Sequence, residues 1–116
     1  STADMAESDD VITRLGAVIA ARRNDDPAES YVAGLLQGEE DRLLKKLGEE
    51  STEVILAAKS GKPEAICAES ADLMFHLMVI LARHKIDLGD VCRVLESRMG
   101  VSGLEEKTFR TQGKSS

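Results

Sequence analysis

The sequence contains few of the residues on which β-rich proteins depend. Aromatic residues make up 3% of the 116 residues and tryptophan is absent, whereas β-sandwiches draw on aromatic and β-branched residues. Proline occurs twice, and the apolar fraction of 42% consists mainly of Leu, Ala, Ile, Val and Met. This composition favours an all-α protein, and the length suits one domain.

Positive charge and paired cysteines are also scarce. Fifteen basic and 21 acidic residues give a net charge of −6, which argues against broad binding to nucleic acid but not against a small anionic substrate. Cys67 and Cys92 do not form a Cys-x-x-Cys pair, and we interpret them as small buried hydrophobes. The N-terminus is unlike a signal peptide, and no apolar run reaches about 18 residues. We therefore expect a cytoplasmic protein without a membrane span.

The ends of the chain are small and polar. We predict that residues 1–7 and 111–116 are disordered and that residues 8–110 form a single all-α domain. The first helix is predicted to begin near Ser8, a suitable N-cap. The segment 26–38, with Pro27 and two glycines, is interpreted as a connector with one short helical turn.

Two long helices are predicted in the middle of the chain. They span residues 39–60 and 63–84, and the turn between them is short, so we expect an antiparallel helix hairpin. A further helix is predicted over residues 87–98, with Asp87 as its cap. Its inward-facing residues are predicted to be Val91, Val94 and Leu95. The predicted fold is thus an all-α bundle of four to five helices around a central antiparallel hairpin.

The helix at 39–60 has an apolar and a charged side at about 100° per residue. The apolar arc consists of Leu43, Leu44, Leu47, Ser51, Val54, Ile55 and Ala58. The charged arc consists of Arg42, Lys46, Glu49, Glu50 and Glu53, with Lys45 at its edge. Any surface helix shows such sides, so this pattern alone indicates a function only weakly.

The helix at 63–84 is different because it is almost entirely apolar. Between Ser70 and Ala82 its only polar side chains are those of Ser70, Asp72 and His76. Glu69, Asp72 and His76 lie within about 60° of one another, and Arg83 is predicted on the same side. Taken singly, the histidine is typical of a satisfied core residue and the glutamate of a solvated one. Together they indicate a shared polar environment.

The predicted hairpin brings carboxylates from both helices together. The four are Glu50, Glu53, Glu69 and Asp72. Because four such groups repel one another, they must be protonated or neutralised by a multivalent cation. Oxygen ligands favour Mg²⁺ or Mn²⁺ over zinc. With Arg42, Lys45 and Lys46 nearby, the pattern predicts a phosphate-bearing substrate.

The carboxylate spacing resembles the Glu-x-x-Glu and Glu-x-x-Asp pair of the all-α nucleotide pyrophosphatase superfamily. The sequence is more closely similar to the phosphoribosyl-ATP pyrophosphatase family over residues 11–110. The matching stretches are "SYVAGLL", "DRLLKKLGEESTEVILAAK", "ESADLMFHLMVILA" and "GVSGLEEKTFR". Ser51 and Thr52 depart from the small residues common there, and Phe75 stands where Tyr is frequent, but none of the three is a proposed ligand.

The resemblance implies an enzyme of histidine biosynthesis that cleaves phosphoribosyl-ATP between its α and β phosphates. It implies that Mg²⁺, or Mn²⁺, is held by Glu50, Glu53, Glu69 and Asp72. It also implies a homodimer or higher homo-oligomer. The net charge and the lack of a long apolar run predict no nucleic-acid or membrane partner. The expected catalytic residues are Glu49, Glu50 and Glu53, with Glu49 accepting a proton from water or orienting it. The expected substrate-binding residues are Arg42, Lys45, Lys46 and His76, and His76 has a second possible role in holding a ligating carboxylate.

Two other functions remain open at the level of the sequence. One is a house-cleaning pyrophosphatase of the same superfamily that acts on free or modified nucleoside triphosphates. The other is a non-catalytic helical oligomerisation module whose carboxylates form salt bridges between subunits. The sequence leaves open the number of metal ions, the identity of the general base and the residues that recognise the phosphoribosyl group.

Overall fold

The computed structural model of the chain describes the backbone of residues 2–100 and the side chains of residues 11–100. Over this part of the chain there are five helices and no strands, which confirms the all-α fold class. They are α1 (Thr2–Ala21), α2 (Tyr31–Gln37), α3 (Glu40–Ser60), α4 (Pro63–Arg83) and α5 (Leu88–Met99). The chain divides between Ile86 and Asp87 into two compact units, so that α1–α4 belong to one and α5 to the other.

The ends of the predicted domain are only partly covered by the structure. Helix α1 begins at Thr2 and not near Ser8. The residues between these two positions include Ala3, Met5, Ala6 and Glu7, which are good helix formers. Residues 101–110 of the predicted domain and the tail at 111–116 lie outside the described residues. The assignment of residues 8–110 to a single domain stays a prediction.

The hairpin of α3 and α4 is the central feature of the first unit, as predicted. Gly61 ends α3 with a left-handed φ of 69°, a conformation that is accessible to glycine without a Cβ penalty. Pro63 then occupies the first turn of α4, where its missing N–H is not needed by the helix. The turn between the helices is therefore encoded by two residues, and it sets the pairing of α3 with α4.

Among the described helices, α4 alone is long and apolar enough to cross a membrane by length and composition. The sequence prediction concerned uninterrupted apolar runs, and Glu69, Asp72 and His76 do interrupt this helix. Its average hydropathy is nevertheless high, because the remaining residues are almost all apolar. In the described structure α4 packs along α3 and also contacts α1 and α2. Only 17% of its apolar stretch is buried by these contacts.

Helix α2 is longer and better packed than the single turn predicted for this segment. The hydroxyl oxygen of Ser30 accepts the backbone N–H of Ala33 at 3.1 Å and caps the helix. The residues that α2 buries are Val32, Ala33, Leu35 and Leu36. The prediction was wrong because seven residues are too few to show a helical period, and the packing that stabilises α2 comes from distant helices.

Arg83 connects the end of α4 to the end of α2. Its Nη1 donates to the backbone oxygens of Leu35 at 2.9 Å and Leu36 at 3.2 Å, and its Nε lies 3.2 Å from a carboxylate oxygen of Glu40. The last carbonyls of a helix need such donors. Arg83 is therefore a structural residue at α2, although the sequence placed it on the side of the α4 carboxylates.

The core of the first unit joins all four of its helices, α2 included. Ile19 of α1, Leu43 of α3 and Val79 of α4 are its largest fully buried side chains, and each contributes about 1.5–3 kcal/mol of hydrophobic stabilisation. On α3, Glu50 is buried whereas Ile55 is 63% exposed. The buried side of α3 is therefore rotated by about 60° from the predicted apolar arc, towards the charged side.

Three expectations about burial are wrong. Cys67 and Cys92 are both exposed free thiols and not buried hydrophobes.

On α5, Asp87 is the N-cap as predicted, and its backbone N–H donates to the carboxylate of Asp90 at 3.1 Å. The inward-facing residues predicted there are not buried, because Val94 and Leu95 are about half exposed. Periodicity shows which side of a helix is apolar but not whether another element covers it.

Candidate metal centre

The hairpin brings four carboxylates together at one place on its surface. Glu50 and Glu53 lie one turn apart on α3, and Glu69 and Asp72 lie one turn apart on α4. One carboxylate oxygen from each can be chosen so that all four lie within 4.8 Å of one another. The convergence predicted from the two motifs is therefore present in the fold.

Two of these carboxylates have buried oxygens without a partner. Glu50 is only 5% exposed, and among the described side chains the buried atoms that lack a hydrogen bond are Oε2 of Glu50 and Oε2 of Glu69. Buried polar atoms are nearly always hydrogen-bonded, since desolvating one without a partner costs a few kcal/mol. Both orphaned atoms belong to the cluster, which indicates that its missing partner is a ligand.

The chemistry of the donor set identifies the kind of ligand that fits. All four groups offer carboxylate oxygens, and within the described residues their one ion pair is between Glu50 and Lys46. Four negative charges with one positive neighbour attract a multivalent cation. Oxygen donors without Cys or His suit a hard cation such as Mg²⁺ or Mn²⁺ better than zinc. The residues present thus fit a magnesium-type site.

Lys46 lies beside the cluster on the preceding turn of α3. Its Nζ is 3.5 Å from Oε1 of Glu50, and 40% of the side chain is exposed. Desolvation lowers the pKa of the Lys46 ammonium, but the negative charges of the Glu50 and Glu49 carboxylates outweigh it, so the pKa lies above its ordinary value. Lys46 is therefore positively charged throughout the neutral range and accessible to an anion next to the carboxylates.

The other charged residues predicted for the site lie on the solvent-exposed side of α3. Arg42, Lys45 and Glu49 are all exposed. Arg42 precedes Lys46 by four residues and Glu49 follows it by three, so Arg42, Lys46 and Glu49 lie along one stripe of α3. Lys45 lies at about 100° from Lys46 around the helix. The arrangement favours Arg42 and Lys46 over Lys45 for a ligand held at the cluster.

His76 is buried one turn after Asp72 and is bonded at both ring nitrogens. Its Nδ1 lies 2.8 Å from the backbone oxygen of Asp72, and its Nε2 lies 3.1 Å from the hydroxyl of Tyr31. A carbonyl oxygen only accepts, so Nδ1 carries a proton. In the neutral imidazole Nε2 then accepts from the Tyr31 hydroxyl. His76 contacts the peptide of a predicted ligand residue and not its carboxylate.

Tyr31 is the residue near the site that sequence reasoning missed. It is the first residue of α2, and 51% of it is exposed. Its ring stacks with Phe75 at a centroid distance of 6.3 Å and meets His76 edge-on. The capping serine just before it was the available signal, because it marks the start of a helix that places Tyr31 against α4.

Taken together, the fold and the cluster define a class: all-α proteins whose helix hairpin carries a four-carboxylate centre suited to a divalent cation. Comparison with known proteins narrows this class. The sequence profile described as Phosphoribosyl-ATP pyrophosphohydrolase matches residues 12–99. The chain belongs to the phosphoribosyl-ATP pyrophosphohydrolase family, as the resemblance of its motifs implied.

Individual relatives agree with this assignment, and each is named Phosphoribosyl-ATP pyrophosphatase. The chain is 49% identical over 104 residues to the protein of Nitrosospira multiformis, covering 90% of this chain and 86% of the relative. It is 46% identical over 110 residues to that of Nitrosomonas eutropha, covering 95% and 94%. With the protein of Burkholderia cenocepacia the identity is 47% over 107 residues, covering 89% and 88%.

Proposed function

We propose that this chain is a phosphoribosyl-ATP diphosphatase of histidine biosynthesis. Water and phosphoribosyl-ATP give phosphoribosyl-AMP and pyrophosphate, as the phosphoanhydride bond between the α and β phosphates breaks. Family membership over residues 12–99 supports the reaction. The single observation that carries the chemistry is the convergence of four carboxylates with two orphaned buried oxygens.

The carboxylate cluster is proposed to hold Mg²⁺, with Mn²⁺ as an alternative ion. The residues that would bind it are Glu50, Glu53, Glu69 and Asp72. When bound, the ion supplies charge neutralisation on the triphosphate and lowers the pKa of water at the site. The hairpin supplies the positioning, because all four side chains project from two helices whose pairing is set by the turn at Gly61.

The charged stripe of α3 is proposed to bind and orient the phosphates. Lys46, charged and 40% exposed, stabilises negative charge on phosphate oxygens, and Arg42 does so one turn away. Lys45 remains a weaker candidate because it lies to one side. Glu49 is exposed next to Glu50 and is proposed to orient the attacking water or accept its proton.

The substrate is tested by measuring pyrophosphate release from phosphoribosyl-ATP, ATP and dCTP at equal concentrations with MgCl₂. Preferential turnover of phosphoribosyl-ATP is expected. Preferential turnover of dCTP would instead assign the chain to a house-cleaning pyrophosphatase of the same superfamily. If folded protein with Mg²⁺ releases pyrophosphate from none of the three substrates, the non-catalytic helical module is favoured instead.

The metal site is tested separately by calorimetric titration of MgCl₂ into the parent, Glu50→Gln and Asp72→Asn. Both substitutions remove a negative charge with little change in shape, so both should weaken binding. The matched control is Glu64→Gln, which removes an exposed charge from the first turn of α4, outside the cluster. If Glu50→Gln and Asp72→Asn both bind Mg²⁺ like the parent, the cluster is not the metal site.

A homodimer or higher homo-oligomer is proposed from the apolar residues that the hairpin leaves uncovered. Those of α3 are Leu44, Ile55 and Leu56, and those of α4 are Met74 and Leu77, each more than 40% exposed. Exposed apolar residues at this density are typical of an interface. Light scattering coupled to gel filtration should report a multiple of the 12.5 kDa chain mass. Ile55→Glu should reduce that mass, whereas Lys59→Glu, which changes charge at the polar end of α3, should not.

A cytoplasmic location is proposed for this enzyme. The family consists of soluble biosynthetic enzymes, and phosphoribosyl nucleotides are intracellular metabolites. The exposed free thiols Cys67 and Cys92 are compatible with a reducing compartment. Cell fractionation, with the chain in the soluble fraction, is the expected result.

A further inference from the structure

The contacts of Tyr31 and His76 form a continuous connection from α2 to a metal-ligand residue on α4. The Tyr31 hydroxyl lies 3.1 Å from Nε2 of His76, and Nδ1 of His76 lies 2.8 Å from the backbone oxygen of Asp72. His76 is 5% exposed. A buried imidazole that satisfies both nitrogens has one orientation, since rotating the ring breaks both bonds.

The tyrosine end of this connection is attached to a fixed helix. Ser30 caps the first turn of α2, and Arg83 binds the last carbonyls, those of Leu35 and Leu36. Helix α2 is therefore bound to α4 at both of its ends, through Tyr31 at the start and through the guanidinium of Arg83 at the finish. The hydroxyl of Tyr31 is held by this framework and not by a flexible loop.

The aspartate end of the connection is where positioning is needed. Asp72 is exposed, and the described structure records no hydrogen bond to its carboxylate, so the position of the carboxylate depends on its rotamer and on the backbone of residue 72. The other three carboxylates of the cluster are close enough to repel it. The imidazole bond to the Asp72 carbonyl restrains this peptide at the turn that carries the ligand.

We propose that Tyr31 and His76 are a positioning pair for the carboxylate centre, in which Tyr31 orients the imidazole and the imidazole holds the backbone of Asp72. This inference rests on the proposed metal site. It assigns His76 to the framework of the site and not to substrate contact. It also gives the tyrosine of the "SYVAGLL" stretch a role that the carboxylate motifs do not include.

The metal-binding test compares Tyr31→Phe, His76→Asn and the double variant by calorimetric titration with MgCl₂. Tyr31→Phe deletes one oxygen and keeps the ring that stacks on Phe75. Each single variant should weaken Mg²⁺ binding about tenfold, the lower end of the range for residues that orient metal ligands. The double variant should be no weaker than the weaker single variant, because both substitutions break the same connection.

Val32→Ala is the matched stability control because it truncates a buried residue next to Tyr31 on α2. It should lower the melting temperature and leave the Mg²⁺ dissociation constant unchanged. Tyr31→Phe should do the reverse, with a small change in melting temperature and a clear change in affinity. A purely structural role for Tyr31 would make the two variants behave alike, which would overturn the proposal.

The hydrogen bond itself has an independent readout. Tyr31 is the single tyrosine of the chain and tryptophan is absent, so tyrosine emission reports on this pair. An imidazole acceptor quenches a phenol by taking its proton in the excited state. His76→Asn should therefore raise the emission of metal-free protein, whereas Glu64→Gln should not.

The outcomes distinguish a failure of the proposed metal site from a failure of the positioning pair. If the parent does not bind Mg²⁺, the metal site and the positioning pair both fail. If the parent binds Mg²⁺ but Tyr31→Phe binds it equally well, the pair alone fails and the metal site stands. Additive losses in the double variant would likewise overturn the pair, because the two residues would then act independently. Should His76→Asn not fold, the comparison of Tyr31→Phe with Val32→Ala decides the question.

Discussion

The two halves of α4 treat their polar groups in opposite ways. In the first half, residues 63–72, Glu69 has a buried oxygen without a hydrogen-bond partner and belongs to a cluster of like charges. In the second half, residues 73–83, both ring nitrogens of His76 and the guanidinium of Arg83 are bonded within the protein. The polar groups of the second half are thus satisfied within the protein, whereas those of the first half still lack partners that a ligand could supply.

This difference shows how a stable helix can carry a strained site. One oxygen from each of the four carboxylates lies within 4.8 Å of the others, and we expect the repulsion between these like charges to destabilise the metal-free protein. The cost is offset by apolar packing around Val79 and by the bonds of Arg83 to α2. Substitution of a cluster carboxylate should therefore remove activity without removing stability, and substitution of Arg83 should do the opposite.

The largest expected effect is that of Glu69→Gln in the first half. Loss of one charge at the centre should reduce kcat/KM for phosphoribosyl-ATP by about 10²–10³-fold, the size of effect found when one charge-stabilising group is removed from an active site. In the presence of EDTA the melting temperature should stay the same or rise, because one repelling charge has gone. Steady-state kinetics and thermal melting measure the two effects.

Glu64→Gln is the matched control, since it is the same substitution on the same helix at an exposed position. It should change neither kcat/KM nor the melting temperature appreciably. A Glu69→Gln protein that kept parental activity, or that lost as much stability as a core variant, would remove the distinction between the two halves.

The second effect in size is that of Arg83→Met in the second half. Removing the guanidinium leaves the carbonyls of Leu35 and Leu36 without their donor. It also removes one of the two partners that the Glu40 carboxylate has among the described residues, the other being Nε2 of His84 at 3.0 Å. The free energy of unfolding should fall by about 2–3 kcal/mol, as for charged hydrogen-bond donors at partly buried positions. Urea denaturation of metal-free protein measures the loss.

Arg93→Met provides the comparison for Arg83→Met, because Arg93 is an exposed arginine that pairs with Asp90 on α5. Exposed pairs contribute about 0–1 kcal/mol, so its loss should be small. Equal losses for the two arginines would mean that the contacts of Arg83 with α2 do not stabilise the fold.

The smallest effect is that of Ser30→Ala at the start of α2. Loss of the N-cap should lower the free energy of unfolding by about 1 kcal/mol, since the Ala33 N–H loses its acceptor in a buried setting. Ser97→Ala removes an exposed hydroxyl that bonds only its own helix and should change stability by less than about 0.5 kcal/mol. Chemical denaturation that shows no difference between the two would place α2 outside the stable framework.

The hairpin and the carboxylate cluster were predictable because their signals are local. Gly61 and Pro63 mark the turn, and helical spacing places Glu50 and Glu53, like Glu69 and Asp72, on adjacent turns. A short turn then allows only an antiparallel pairing of the two helices.

What the sequence did not reveal depends on contacts between distant segments. Arg83 bonds carbonyls 47 and 48 positions away, and His76 bonds Tyr31 45 positions away. Both contacts are made to α2, a seven-residue helix with no periodic signal of its own. The burial of Glu50 was also not predictable. Helical periodicity shows which side of α3 is more apolar, but it does not show which side α4 covers.

The most direct test of the central claim is an anomalous difference map from crystals of the parent chain grown with MnCl₂. The account predicts a manganese peak bound by carboxylate oxygens of Glu50, Glu53, Glu69 and Asp72. A fully ordered hairpin with no peak between these four side chains, or with the ion bound elsewhere, would contradict it.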